Sequence, residues 1–156
     1  MAEKKSKLIV CIIGQDCAPW LKLCIDSVKD VADHIVFVDG GSKDGSQFIL
    51  TPAGTDVMDI PTGFICNYYK NNWTIHRPFE RDHPGAIGQA RNAYLDFIKK
   101  HFMGDWCLVL DADEVVDERF STFAKALKEV KIEGMTIEES DIFQMASHHM
   151  RHTINT

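Results

Sequence analysis

No apolar run in this chain of 156 residues approaches the roughly 20 residues that a membrane-spanning helix needs. Positive charge is in deficit as well: the formal net charge of −6 argues against a protein that neutralises nucleic-acid phosphates with a basic face. The five cysteines (Cys11, Cys17, Cys24, Cys66 and Cys107) contain no Cys-x-x-Cys pair, which disfavours a zinc site built on them. Their odd number and mostly apolar neighbours mark them as reduced core thiols, and the expected location is cytoplasmic. Neither Gly-x-Gly-x-x-Gly nor Gly-x-x-x-x-Gly-Lys-Ser/Thr occurs, so the usual dinucleotide fingerprint and the usual nucleotide-hydrolysing loop are absent. Internal repeats and low-complexity linkers are lacking, and one domain over 1–156 is the simplest reading of the length.

What the chain does have is a strand-length apolar run, residues 106–110 (WCLVL), that ends in Asp111, Asp113 and Glu114. Such a run reads as a strand covered on both faces inside a parallel sheet. Ligand crevices in open α/β sheets lie at the carboxyl ends of strands, where these carboxylates would emerge. Two aspartates one residue apart can share a hard divalent cation; a solvated acidic turn is the plain alternative.

The basic start and the apolar residues 8–13 (LIVCII) superficially imitate a signal peptide. The apolar run is too short and breaks at Gly14, so it is expected to be the first buried strand. Asp16 or Cys17 is placed to cap a helix with Pro19 in its first turn, and Leu21, Cys24, Ile25, Val28 and Val31 make its apolar stripe. Residues 34–38 form a second strand, closed by the loop 39–46 (DGGSKDGS). Strand, helix and strand with short connections predict a right-handed βαβ unit. Asp39 at this second strand end can accept a hydrogen bond from a base or ribose; alternatively, Asp39 and Asp44 only cap the turn and the next helix.

Residues 51–84 carry Pro52, Pro61, Pro78 and Pro84 and are the least regular part, with short strands expected at 56–60 and 73–76. Tyr68, Tyr69 and Trp73 are expected to pack rather than to stack on a ligand. Asp82 and Pro84 open a helix whose buried stripe is Ile87, Ala90, Tyr94, Phe97, Ile98 and His101 or Phe102, with Gly104 just past its end. Arg91, early in that helix, is electrostatically awkward unless an anion is near, which suits a diphosphate; pairing with Asp96 or Glu80 is the alternative. Another amphipathic helix follows, with Phe120, Phe123, Ala124, Leu127 and Val130, and then a strand at 141–150. His148, His149 and His152 fit an exposed tail better than a third metal ligand.

Five blocks in order, residues 8–13, 20–28 (WLKLCIDSV), 36–46 (VFVDGGSKDGS), 89–92 (QARN) and 106–114 (WCLVLDADE), resemble the family 2 glycosyltransferases, in the subset written Asp-Ala-Asp-Glu. The resemblance implies the GT-A fold, a Rossmann-like three-layer α/β/α arrangement with a mostly parallel central sheet. It implies an enzyme that moves a sugar from a nucleotide-diphosphate sugar to an acceptor hydroxyl, with inversion, using Mn²⁺ or Mg²⁺. The nucleotide-binding candidates are then Asp39, Ser42, Arg91 and Asp111, and the metal candidates are Asp113 and Asp111. No catalytic base is assigned, and Glu114 belongs to the motif in an unsettled role. The first loop departs from the family's Asn-Glu by carrying Gln15-Asp16. Family members continue into an acceptor-binding half, so a fragment or a non-catalytic donor-binding module is the alternative, and association into an oligomer stays open. A phosphohydrolase is the weaker third reading, because its Asp-x-Asp usually follows the first strand.

Overall fold

The computed structural model describes residues 5–49, 65–69, 72–78, 80, 82–102, 106–129 and 148–149. Chain order runs β1 (Leu8–Gly14), α1 (Ala18–Val28), β2 (His34–Asp39), a short 3₁₀ turn (Ser46–Phe48), β3 (Ile65–Tyr69), β4 (Asn72–His76), α2 (Ala86–His101), β5 (Trp106–Asp111), β6 (Glu114–Val115), α3 (Phe120–Lys128) and β7 (His148–His149). Five strands form one sheet in the order β3-β4-β2-β1-β5. The four strands β4, β2, β1 and β5 are parallel, and β3 adds an antiparallel edge. This is the mixed α/β, Rossmann-like architecture expected from the sequence.

Side-chain alternation along the strands divides the core into two layers. Leu8, Val10 and Ile12 of β1, with Ile35 and Phe37 of β2, face α1 and α3, where they meet Leu21, Cys24, Val28, Phe120 and Ala124. Ile9 and Cys11, with Val36 and Val38, face α2 and meet Ala90, Tyr94, Phe97 and Phe102. The central strands are therefore apolar along both faces between their ends, as expected of buried parallel strands. Trp73 of β4 belongs to the second layer, its ring 5.2 Å from that of Phe97, so it packs in the core as expected.

Several expectations need correction. The run 106–110 is covered on one face only: Leu110 is buried, whereas Cys107 is exposed and Val109 is 47% exposed. Helix α2 packs mainly on β2 and β1, which leaves Cys107 and Val109 on that face of β5 open. Ile87, expected in the α2 stripe, is 57% exposed, and Ala86 takes the buried position one residue earlier. Phe102, not His101, closes the stripe. Strand β3 went unread, because residues 65–69 (ICNYY) sit in a proline-interrupted stretch without clear alternation. The strand expected at 56–60 and Gly104 lie outside the described residues, as does most of the strand expected at 141–150. Of the latter, His148–His149 forms β7, with His149 opposite Glu114.

Among the described residues no helix is long and apolar enough to cross a membrane.

Candidate donor-binding site

Strand register sets the site. Gly14 at the end of β1 pairs with Asp39 at the end of β2, Asp39 pairs with His76 at the end of β4, and Ile13 pairs with Asp111 at the end of β5. Asp39 and Asp111 therefore flank the carboxyl end of β1 on opposite sides. The connections leaving β1 and β2 turn toward the α1 layer, whereas the connection leaving β4 enters α2 on the other face. Loops that diverge in this way open a crevice between them. A cavity of about 470 Å³ lies there, lined by Gln15, Gly40, Gly41, Pro78, Glu80, His83, Ala86 and Gln89.

Two glycines let the loops approach this closely. A Cβ on Gly14 would stand 2.6 Å from Cys17 Sγ and 3.1 Å from the Ala112 side chain, so the start of α1 and the turn after β5 close over β1 only because Gly14 has none. Gly41 has φ +94°, a left-handed conformation that other L residues adopt at a cost, and it lies against Pro78.

The loops after β1 and β2 are stitched by side chains. The Asp16 N–H donates to Ser42 Oγ (2.9 Å) and the Lys43 N–H donates to Asp16 Oδ1 (2.7 Å). The expected cap of α1 by Asp16 or Cys17 is absent, since Cys17 occupies the N-cap without a side-chain capping bond. Its work is done across the fold: the Cys17 N–H donates to Ser46 Oγ (2.8 Å) and the Ala18 N–H to Asp44 Oδ2 (3.0 Å). Asp44 also receives the Ser46 N–H, so it caps α1, the preceding helix, as well as its own turn. These cross-loop roles of Asp16, Asp44 and Ser46 escape sequence reading, which looks for caps within a few residues.

Asp39 is fully buried. Its carboxylate accepts from the Gly41 N–H (3.2 Å), the Ser42 N–H (3.2 Å to Oδ1) and His76 Nδ1 (2.9 Å). These donors satisfy a charge whose burial would otherwise be costly. His76 was not singled out from sequence, although the last residue of a parallel strand beside Asp39 is where a partner belongs. Ser42, buried, orients the loop through both its N–H and its hydroxyl.

Across β1, Arg91 of α2 reaches Asp111, with Nη2 3.9 Å from Oδ1 and both side chains about half exposed (47% and 49%). The pairing with Asp96 or Glu80 weighed above is replaced by this one. An exposed ion pair of that length adds little to stability, of the order of 0–1 kcal/mol, so packing alone does not account for the placement. Asp111 and Asp113 stand on either side of the buried Ala112, and the Glu114 carboxylate turns back to accept the Asp111 N–H (2.9 Å). Glu114 thus shapes the turn that presents the two aspartates. Among the described residues no group of three or more His, Cys, Asp or Glu side chains gathers as a ready metal site. A half-exposed aspartate pair nonetheless suits a hard cation that takes its remaining oxygens from phosphates and water.

The sequence profile described as Glycosyl transferase family 2 matches residues 8–137, from the first residue of β1 to beyond α3. The chain belongs to this family. A TPR repeat-containing protein of Synechococcus elongatus is 32% identical over 109 residues, which is 70% of this chain and 21% of that protein. The chain thus spans about a fifth of the length of this relative. The family match covers Asp39, Arg91 and the 111–114 turn together.

Proposed function

We infer that the crevice binds a nucleotide-diphosphate sugar together with a divalent cation, and that the chain transfers the sugar to an acceptor hydroxyl with inversion. The observation that carries this reading is that Asp39 of β2 and Asp111 of β5 flank the carboxyl end of β1 while Arg91 of α2 reaches Asp111. Asp39 and Ser42 shape the wall against which the base and ribose lie. Arg91 supplies a cation for the diphosphate, and Asp113 with Asp111 would hold Mn²⁺ or Mg²⁺. Held there, such an ion would supply positive charge to offset the charge that develops on the departing diphosphate. Arg91 supports the same charge by hydrogen bonding, and the acidic chain, at −6, needs both against a polyanion.

One observation favours a second reading, a donor-binding module without turnover: the carboxylate of Glu114, whose role the motif leaves unsettled, is engaged by the Asp111 N–H. An assay of nucleotide release from a panel of nucleotide sugars with Mn²⁺ separates the two. Release that depends on Asp113 supports transfer or hydrolysis. Donor binding without release supports the module.

A further inference from the structure

On the α2 face of the sheet two thiols meet away from the crevice. Cys11 of β1 pairs in register with Val109, and Cys107 of β5 pairs with Ile9, so the two cysteines are diagonal neighbours on adjacent parallel strands. Their sulfurs stand 3.1 Å apart. Cys11 is fully buried, whereas Cys107 is exposed on the stretch of β5 that α2 leaves uncovered. The environments divide the labour. Burial and the neighbouring sulfur push the Cys11 thiol up, while the hydrogen bond between the two sulfurs draws Cys107 below its ordinary value despite burial of part of the side chain. Tyr94 of α2 lies beside them, its hydroxyl pushed up to about 12 by burial and by Cys11 and Cys107, and it remains a neutral phenol. The other layer offers a contrast in Cys24, whose thiol is pushed up to about 12 by burial, with Glu114 adding to it. A thiol of that kind is inert toward oxidants.

We propose that Cys11 and Cys107 form a hydroperoxide-reactive dithiol that closes to an intramolecular disulfide joining β1 to β5. The exposed Cys107 thiolate attacks the hydroperoxide: an S–O bond forms, the O–O bond breaks, and the alkoxide or hydroxide that leaves takes up a proton, so that Cys107 becomes a sulfenic acid. The Cys11 sulfur then attacks Cys107 Sγ, the S–O bond breaks, and water departs with the Cys11 proton. Two thiols and one hydroperoxide give one disulfide, one alcohol or water, and one further water. The sulfurs need to approach by about 1 Å to reach the bonded distance of about 2.05 Å, and the open side of Cys107 leaves room for its rotation. The bond would lock together the two strands whose carboxyl ends carry Gly14 and Asp111. The proposal is independent of the donor-binding reading, and nucleotide binding is not among its readouts.

The test treats the native protein with one equivalent of hydrogen peroxide, blocks remaining thiols by alkylation and maps the peptides by mass. The expected result is loss of two hydrogens in the intact mass and a Cys11–Cys107 cross-linked peptide, with Cys17, Cys24 and Cys66 alkylated. In Cys11→Ser the sulfenic acid should persist on Cys107 and be trapped by dimedone, and in Cys107→Ser Cys11 should stay reduced. A cross-link to any other cysteine, a dimer joined through Cys107, first oxidation at Cys11, or thiols all still reduced would overturn the proposal. The wild-type map decides even if a variant fails to fold.

Discussion

Asp44 caps α1 from the far side of β2, accepting the Ala18 N–H as well as the Ser46 N–H and hydroxyl. Partial burial raises its pKa, but these donors outweigh it and hold the carboxyl below the ordinary aspartate range. The folded value is depressed, so the stabilisation is complete above the unfolded pKa of about 3.9 and drains away as pH falls through the folded value. Replacing Asp44 by Ala should cost about 1 kcal/mol near neutral pH. Urea midpoints followed from pH 6 to pH 2 should then show a weaker acid dependence in the variant, and parallel curves would refute this assignment. Arg91 makes a different kind of prediction. Its exposed pair with Asp111 contributes little to folding, so Arg91→Ala should leave the melting temperature nearly unchanged. It should weaken a nucleoside diphosphate by about 10-fold or more while sparing the nucleoside, since a hydrogen bond to a charged group is worth about 1.5–3 kcal/mol. Equal loss for both ligands in competition titrations would remove Arg91 from the diphosphate site. At this scale the sequence was informative about identity and poor about partners. Asp39, Arg91 and Asp111 stand where a strand end or helix start puts them, whereas His76 and the caps from Asp44 and Ser46 arise only when distant loops meet.

At the scale of elements, the βαβ start shows what apolar periodicity can and cannot reveal. The stripe of α1 (Leu21, Cys24, Ile25 and Val28) and the apolar runs within β1 and β2 are read directly from 3.6-residue spacing and unbroken runs, because both features follow from burial. The one-sided cover of β5 was not legible, since Cys107 and Val109 are as apolar as any core residue and only the placement of α2 leaves them exposed. Strand β3 was hidden for the same reason: its pairing with β4 is tertiary and carries an irregularity between Cys66 and Tyr69. Leu21, fully buried at the middle of the α1 stripe, should lose about 2–5 kcal/mol on replacement by Ala, checked by equilibrium denaturation. Gly14→Ala tests the close approach at the crevice, because the added methyl would meet Cys17 Sγ at 2.6 Å. A cost of about 1–3 kcal/mol is expected from overpacking, and a neutral substitution would mean that the start of α1 yields freely.

For the whole molecule, topology does more than any single residue. The order β3-β4-β2-β1-β5, with α1 and α3 on one face and α2 on the other, brings residues 39, 91 and 111 from far apart in the chain to the end of one strand. A molecule with a net charge of −6 that turns aspartates toward this end repels a diphosphate unless a cation intervenes. Metal-dependent recognition of the donor is therefore the central claim, and titration calorimetry tests it most directly. A panel of nucleoside diphosphates is titrated into the wild type with Mn²⁺, into the wild type with chelator, and into Asp113→Ala with Mn²⁺. The account predicts that at least one nucleotide binds with Mn²⁺ and that its affinity falls about tenfold or more, roughly 1.4 kcal/mol, both with chelator and in the variant. Binding of equal strength in all three titrations, or no binding by any nucleotide with Mn²⁺ present, would contradict it.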